Sequence, residues 1–199
     1  MSKIITVGRE FGSGGREFGR RLAEELGFEY YDKEIITEIA KSTSLSENYV
    51  RQVVEHEPHR LYPITIGQTI PYVGDYAFRM EQSVYQAQRK ILLEMAEKSD
   101  CVIVGRCADY VLRDLKPMRI FVYADMQSRV ARCMARGDGD HPTTEKELIR
   151  QIKKIDKNRA KYYEYYTGQK WGAKENYDLC INTTDTVIKD IVVHVAKML

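Results

Sequence analysis

Residues 4–22 read IITVGREFGSGGREFGRRL, and this stretch says more about the fold than any other. The apolar run at 4–7 predicts a short strand, and three glycines follow it in the turn at 12–15. A helix is predicted directly after the turn, because apolar residues recur on one helical face at Phe18, Leu22 and Leu26. A strand, a glycine turn and a helix commonly bind phosphate, since the turn lets backbone amides converge and the helix N-terminus adds partial positive charge.

The turn departs from the usual phosphate-loop pattern, G-x-x-x-x-G-K-[ST]. Gly15 fits the last glycine, but Arg16 and Glu17 stand where a lysine and a hydroxyl residue are usual. Arg16 can supply the positive charge through its planar set of donors. Three roles stay open for Glu17: a carboxylate ligand for Mg²⁺, an ion pair, or a cap on the first helical turn. A dinucleotide fingerprint fits worse, because it needs a glycine at position 17.

Phosphate binding is the favoured interpretation of this turn, and a tight turn without a ligand is the alternative. The predicted ATP- or phosphate-binding residues are Gly12, Ser13, Gly14, Gly15, Arg16 and Glu17.

Length and composition bound the remaining possibilities. A chain of 199 residues is long enough for one domain with a full core. A net charge of +2 gives no excess for a polyanion, so no nucleic-acid partner is expected. Nothing resembles a signal peptide or a membrane span, which predicts a cytoplasmic protein with reduced cysteines and no membrane partner. Cys101 and Cys180 lie in apolar runs and are predicted to be buried, and the four histidines show no metal-binding cluster. The oligomeric state stays unknown.

Strand and helix patterns alternate along the chain. Strands are predicted at 4–7, 28–31, 101–104, 118–123 and 179–181, with helices between them, which indicates a parallel sheet covered on both faces. Capping boxes are predicted at Ser44 with Glu47 and at Thr144 with Glu147. Ligands of such sheets bind at the carboxyl ends of the strands. The glycine turn, Asp32, Arg106 and Asp125 all fall at such ends. The proline-containing stretch at 56–73 is predicted to be irregular.

Three segments resemble the cytidylate kinase-like family of P-loop proteins, relatives of the nucleoside monophosphate kinases. They are GREFGSGGREFG at 8–19, CVIVGRCADYVL at 101–112 and DKNRAKYYEYYTGQKW at 156–171, and the resemblance extends over nearly the whole chain. It implies one α/β domain over 1–199 with the three-layer α/β/α P-loop NTPase fold, a five-stranded parallel sheet and an inserted helical lid at 126–160.

The resemblance also implies roles for individual residues. Asp32, Arg106, Asp156 and Arg159 would bind the acceptor, and Arg129 and Arg132 match arginines of the lid. With Arg16 they form the predicted catalytic set. The sequence departs from true cytidylate kinases at several matched positions. Arg16 replaces the loop lysine, Lys33 replaces a serine, Cys107 replaces an aspartate, and Cys133 stands where a third lid arginine is frequent.

Structural alternatives stand beside these roles. Asp32 can be simply the N-cap of the helix at 33–41, without a role in ligand binding. Asp156 and Arg159 lie one helical turn apart and can simply pair with each other. Arg129, Arg132 and Arg136 share a helical face that is either a phosphate-facing lid or a solvated basic surface. The tyrosines at 162, 163, 165 and 166 can stack on a base or pack in the core.

Phosphoryl transfer depends on positioned phosphates and on cations that neutralise spreading negative charge, which suits this arginine-rich set. The sequence therefore favours an ATP- and Mg²⁺-dependent transfer of the γ-phosphate to a nucleotide, cytidylate-like, or to another small acceptor. The alternative is a non-catalytic regulatory module that binds a nucleotide or another anion.

Overall fold

The computed structural model describes residues 2–55, 58, 73–136 and 144–199. The strands among these residues are β1 (Ile4–Arg9), β2 (Glu29–Tyr31), β3 (Cys101–Val104), β4 (Met118–Tyr123) and β5 (Leu179–Asn182). All pairings are parallel, and the sheet order is β2-β3-β1-β4-β5. The predicted α/β fold with a five-stranded parallel sheet is confirmed.

Helices connect the strands and cover the sheet. They are α1 (Gly15–Leu26), α2 (Glu34–Thr43), α3 (Glu47–Glu55), α4 (Val73–Lys98), α5 (Ala108–Val111), α6 (Met126–Arg136), α7 (Glu145–Thr167) and α8 (Ile188–Ala196). Two 3₁₀ turns lie at Arg113–Leu115 and Lys174–Asn176.

The central strands are buried on both faces, and their side chains alternate between two cores. In β3, Cys101 and Ile103 pack into the core beneath α2, α3 and α4. Val102 and Val104 point the other way, into the core formed with α1 and α8. This arrangement explains the uninterrupted apolar run of β3, because neither of its faces meets water.

Capping-box signals predicted one helix start correctly and another wrongly. Gly27 ends α1 in the left-handed conformation, at φ 68°, and Thr144 and Glu147 form the predicted capping box of α7. The capping box at Ser44 is wrong, because Ser44 ends α2 in the left-handed conformation. The hydroxyl of Ser46 instead accepts a bond from the Tyr49 amide at 3.2 Å and caps α3.

The prediction that Cys180 is buried is also wrong. Cys101 is buried as expected, but Cys180 is exposed because β5 is an edge strand that pairs only with β4. Phe121 in β4 meets Trp171 edge-to-face at 5.4 Å, so Trp171 anchors the segment before β5.

Some expectations fall outside the described residues. The segment at 56–73, predicted to be irregular, does so except for Pro58 and Val73, and residues 137–143 of the predicted lid do so as well. Among the helices that are described, none combines the length and apolar character needed to cross a bilayer.

Candidate active site

The glycine loop, residues 10–16, joins β1 to α1 at the carboxyl edge of the sheet. Gly12 and Gly14 adopt left-handed conformations, at φ 78° and 82°. A side chain at Gly12 would meet the Arg129 carbonyl oxygen at 2.9 Å, so glycine is required there for space as well as conformation. The Ser13 hydroxyl donates to the Glu10 carbonyl at 2.9 Å and accepts from the Gly15 amide at 3.3 Å, which fixes the turn internally.

The loop leaves several backbone amides available. The Phe11 amide donates to the Asp156 carboxylate at 2.8 Å, and the Gly15 amide to Ser13. Within the described part of the chain, the amides of Gly12, Gly14 and Arg16 have no protein acceptor. The loop borders a cleft of about 450 Å³, the loop cleft, lined by Arg9, Glu10, Phe11, Gly12, Gly14, Gly15, Arg16, Cys133 and Arg159. Amides that face an open cleft at a helix N-terminus can bind an anion.

Arg129, from α6, braces the loop. Its side chain is only 6% exposed, and its Nε donates to the Phe11 carbonyl at 2.7 Å. One Nη lies 3.2 Å from the Glu10 carboxylate, and the other bonds to Asp156. Burial raises the pKa of Glu10 from its ordinary value, and the charge of Arg129 opposes that shift. Arg129 is therefore part of the buried support of the loop rather than of a solvated surface.

Arg132 contacts the loop from the same helix. Its guanidinium reaches the Ser13 carbonyl at 3.4 Å and the Thr183 hydroxyl at 3.2 Å, and also bonds to the Thr183 carbonyl. The fully buried Thr183 donates to the Ser13 carbonyl at 2.7 Å. Sequence analysis missed Thr183; its place directly after β5, at the edge where the ligand site was expected, was the available signal. Arg136 ends α6, but its side chain is outside the described set.

Arg16 and Asp32 meet beside the loop. Arg16 Nε lies 2.6 Å from the Asp32 carboxylate, which is almost fully buried, whereas half of the Arg16 side chain is exposed. Arg9 approaches the other Asp32 oxygen at 3.7 Å. Asp32 is not the N-cap of α2, since that helix begins at Glu34 without a side-chain capping bond. Tertiary ion pairs thus account for Asp32, and local capping does not.

Glu17 forms an ion pair within its own helix. Its carboxylate accepts from Arg21 at 2.8 Å, one turn along α1. Among the described residues, no group of three or more histidine, cysteine or acidic side chains is arranged to hold a metal ion.

A second cleft of about 550 Å³ opens beside the ends of β1 and β3, and we call it the arginine cleft. Its lining includes Arg9, Arg106 and Arg159, with Gly8, Val54, Gly105, Cys107, Asp109, Tyr162, Tyr163, Trp171 and Tyr177. Gly105, Arg106 and Cys107 are all left-handed, at φ 74°, 60° and 52°. This run is costly for non-glycine residues, and such strain concentrates at functional sites. The fully buried Gln88 holds the turn by donating to the Arg106 carbonyl at 3.0 Å.

Asp156 and Arg159 connect α7 to the loop and to both clefts. Arg159 lies 3.8 Å from Asp156, as the spacing allowed, but it also donates to the Arg9 carbonyl at 3.2 Å. Both oxygens of Asp156 bond to the loop support, one to the Phe11 amide and one to Arg129. The pair therefore does more than stabilise its own helix.

The floor of the arginine cleft contains a buried acid that sequence analysis missed. Asp109 accepts from the Tyr163 hydroxyl at 2.6 Å, and burial raises the pKa of Asp109 from its ordinary value. Burial likewise raises the pKa of the neighbouring Cys107 thiol. Tyr162 and Tyr163 are buried, and Tyr166 stacks on Tyr85 at 3.9 Å, so these three rings pack within the protein.

Together the fold and the site define a class. A parallel sheet ordered 2-3-1-4-5, with a glycine loop and an arginine-lined cleft at one edge, places the chain among α/β proteins with the P-loop kinase fold. Shikimate kinases from Acinetobacter baumannii, solved with shikimate, and Bacteroides thetaiotaomicron share this fold at TM-scores of 0.54 and 0.57, with 17% and 15% identity. The matches cover 100% and 98% of this chain and 92% and 97% of theirs.

The sequence identifies the family within that class. Residues 4–185 match the cytidylate kinase-like family, and the chain belongs to it. A cytidylate kinase from Methanopyrus kandleri is 25% identical over 194 residues, which cover 92% of this chain and 86% of the relative. The crystal structure of an uncharacterised protein from Eubacterium ventriosum is 28% identical, with a TM-score of 0.72 over 99% of this chain and 98% of that one. Family and fold support a kinase of a nucleotide or another small molecule.

Proposed function

We propose that this protein transfers the γ-phosphate of ATP to a small phosphorylated acceptor, with cytidylate-like nucleotides as the first candidates. The observation that carries the proposal is the junction of the two clefts at Arg159, which lines both. A donor phosphate on the loop amides and an acceptor phosphate in the arginine cleft would lie on either side of this guanidinium. Phosphoryl transfer needs this juxtaposition, because its catalysis is mainly positioning and charge neutralisation.

The proposed donor site is the glycine loop. The amides of Gly12, Gly14 and Arg16 would bind phosphate oxygens, and the N-terminus of α1 would favour their negative charge. Arg132, bonded to the Ser13 carbonyl, stands where it could balance charge on the transferred group. Arg129 would act differently, as a positioning residue, because its donors are directed to Glu10, Phe11 and Asp156.

The proposed acceptor site is the arginine cleft. Arg106 and Arg159 would bind the acceptor phosphate, since one guanidinium group can bind two phosphate oxygens at once. Asp32 would fix Arg16 beside the donor site. Asp156 would hold the loop and orient Arg159 from the same helix.

Mg²⁺ would arrive bound to the ATP phosphates, where it neutralises charge as they react. The Glu17 carboxylate fits poorly as a direct ligand, because Arg21 lies 2.8 Å from it. That ion pair leaves contact through water as the metal role open to Glu17.

The test is ADP release from ATP across a panel of nucleoside monophosphates and small alcohols, with CMP and dCMP included because one relative is named cytidylate kinase. Acceptor-dependent release is expected for at least one phosphorylated compound. Arg159→Met should reduce kcat/KM for that acceptor by about 100-fold, as loss of charged hydrogen bonds predicts. Arg113→Met, an exposed change outside both clefts, is the control. If the protein binds ATP but releases no ADP with any acceptor, the regulatory module is favoured instead.

A further inference from the structure

Gly15 leaves room for the side chain of another residue. A Cβ atom at this position would overlap Arg9 Cβ and lie 3.1 Å from Arg9 Cγ. The Arg9 side chain therefore passes directly over the first residue of α1. A Cβ atom at position 15 would also lie 3.2 Å from Val122 Cβ, so a side chain there would start in the space that Arg9 occupies.

Gly105 receives the other end of the same side chain. A Cβ atom there would overlap Arg9 Nη1 and lie 2.8 Å from Arg9 Cζ. Gly105 is also left-handed, at φ 74°. Two glycines on different elements thus form a channel from the end of β1 to the end of β3, and Arg9 fills it.

The charges around Arg9 favour an anion. Burial, and next the charge of Arg159, lower the pKa of Arg9, while Arg106 and Arg16 add to that effect. The Asp32 carboxylate opposes it, but lies 3.7 Å away and is closer to Arg16, at 2.6 Å. Only 11% of the Arg9 side chain is exposed. Cations gathered in one partly buried place are stabilised when a phosphate joins them.

Arg16 occupies the sequence position expected for the loop lysine but differs from Arg9 in its surroundings. Half of the Arg16 side chain is exposed, and it extends into a groove with Tyr30 and Lys33. Arg9 instead lines both the loop cleft and the arginine cleft.

We propose that Arg9, which enters from β1 through the space above Gly15, performs the function of the missing loop lysine and contacts the transferred phosphate between the two clefts. This role deepens the proposed transferase function and rests on it, because a phosphate is transferred only if the protein is a transferase. The capacity to bind a triphosphate does not depend on transfer and can be measured separately.

The first experiment compares arginine variants. Affinities for ATP and for inorganic triphosphate are measured by calorimetry, and folding is checked by thermal unfolding. Arg9→Met should weaken triphosphate binding by about 10- to 100-fold, the range expected for hydrogen bonds to a charged group. Arg16→Met should have a smaller effect, and Arg113→Met none. Wild-type affinity in a folded Arg9→Met variant would overturn the proposal.

The second experiment supplies the cation from residue 15 instead of residue 9. Arg9→Gly removes the arginine side chain from the channel, and Gly15→Lys adds a lysine side chain whose ammonium group can enter it. Each single variant should bind triphosphate poorly, the first for lack of a cation and the second because the two side chains overlap. The double variant Arg9→Gly/Gly15→Lys should recover at least about tenfold in affinity over Arg9→Gly, since a charged contact of ordinary strength is restored. A purely structural arginine would not be rescued in this way, so a folded double variant without recovery would contradict the proposal.

The two proposals can fail separately. If the wild type binds triphosphate but releases no ADP with any acceptor, the transferase function is refuted, and the binding series still decides the role of Arg9. If the wild type binds neither ATP nor inorganic triphosphate, both proposals are refuted.

Discussion

Replacing Arg129 by methionine should destabilise the protein by about 3 kcal/mol. The guanidinium contacts Glu10, Phe11 and Asp156 and is almost completely buried. Methionine preserves much of the volume, so the loss is mainly electrostatic.

The magnitude follows from the groups left behind. Removing one partner of a buried ion pair costs about 3–5 kcal/mol, because the other charge stays buried without compensation. Glu10 and Asp156 both lose Arg129 here, but Asp156 keeps the Phe11 amide and Arg159. The Glu10 and Asp156 side chains are also 27% and 16% exposed, so water replaces part of the interaction. The lower end of the range is therefore appropriate. A loss of about 3 kcal/mol corresponds to a Tm lower by roughly 6–12 °C for a domain of this size.

Urea unfolding and thermal unfolding measure this loss directly. Arg119→Met is the matched control, because Arg119 pairs with Asp178 at 2.7 Å but each side chain is about one-third exposed. A partly exposed pair of this kind contributes at most about 1 kcal/mol. Arg129→Met should also weaken ATP binding, since the loop loses its brace. A destabilisation below about 1 kcal/mol, equal to that of the control, would refute the argument that Arg129 supports the loop.

Three further predictions concern other parts of the molecule. Gly105→Ala should reduce triphosphate affinity and stability together, because the added methyl overlaps the Arg9 guanidinium at a left-handed position; unchanged calorimetry and Tm would count against this. In the native state a thiol reagent should modify Cys180 rapidly and the three buried cysteines slowly, which mass spectrometry of digested protein can check. Hydrogen bonds from Arg119 lower the pKa of Asp178 below its ordinary value of 3.8, so its stabilisation is present above that pH and is lost as the pH falls through the lower folded-state pKa. Asp178→Asn should flatten the acid limb of a stability–pH curve, and an unchanged limb would contradict the assignment.

Sequence patterns predicted the features that short-range physics controls. The apolar runs at 101–104 and 118–123 gave β3 and β4 with the correct bounds, because strands buried on both faces leave a continuous signal. Thr144 and Glu147 formed their capping box, because both partners lie within one turn. The errors at Ser44 and Cys180 arose where the outcome depended on neighbours, a competing helix end in one case and the edge of the sheet in the other.

The sequence by itself determined that a glycine loop joins the first strand to the first helix, that arginines and aspartates follow the other strands, and that the chain folds as an α/β protein. These features follow from local periodicity and residue type. Only the tertiary structure decided which charges meet: Arg129 with Glu10 and Asp156, Arg16 with Asp32, and Arg9 between Gly15 and Gly105. These pairings join residues on different helices, strands and loops, so they depend on the order of strands in the sheet and on the space left by glycines, and neither is visible until the chain is folded.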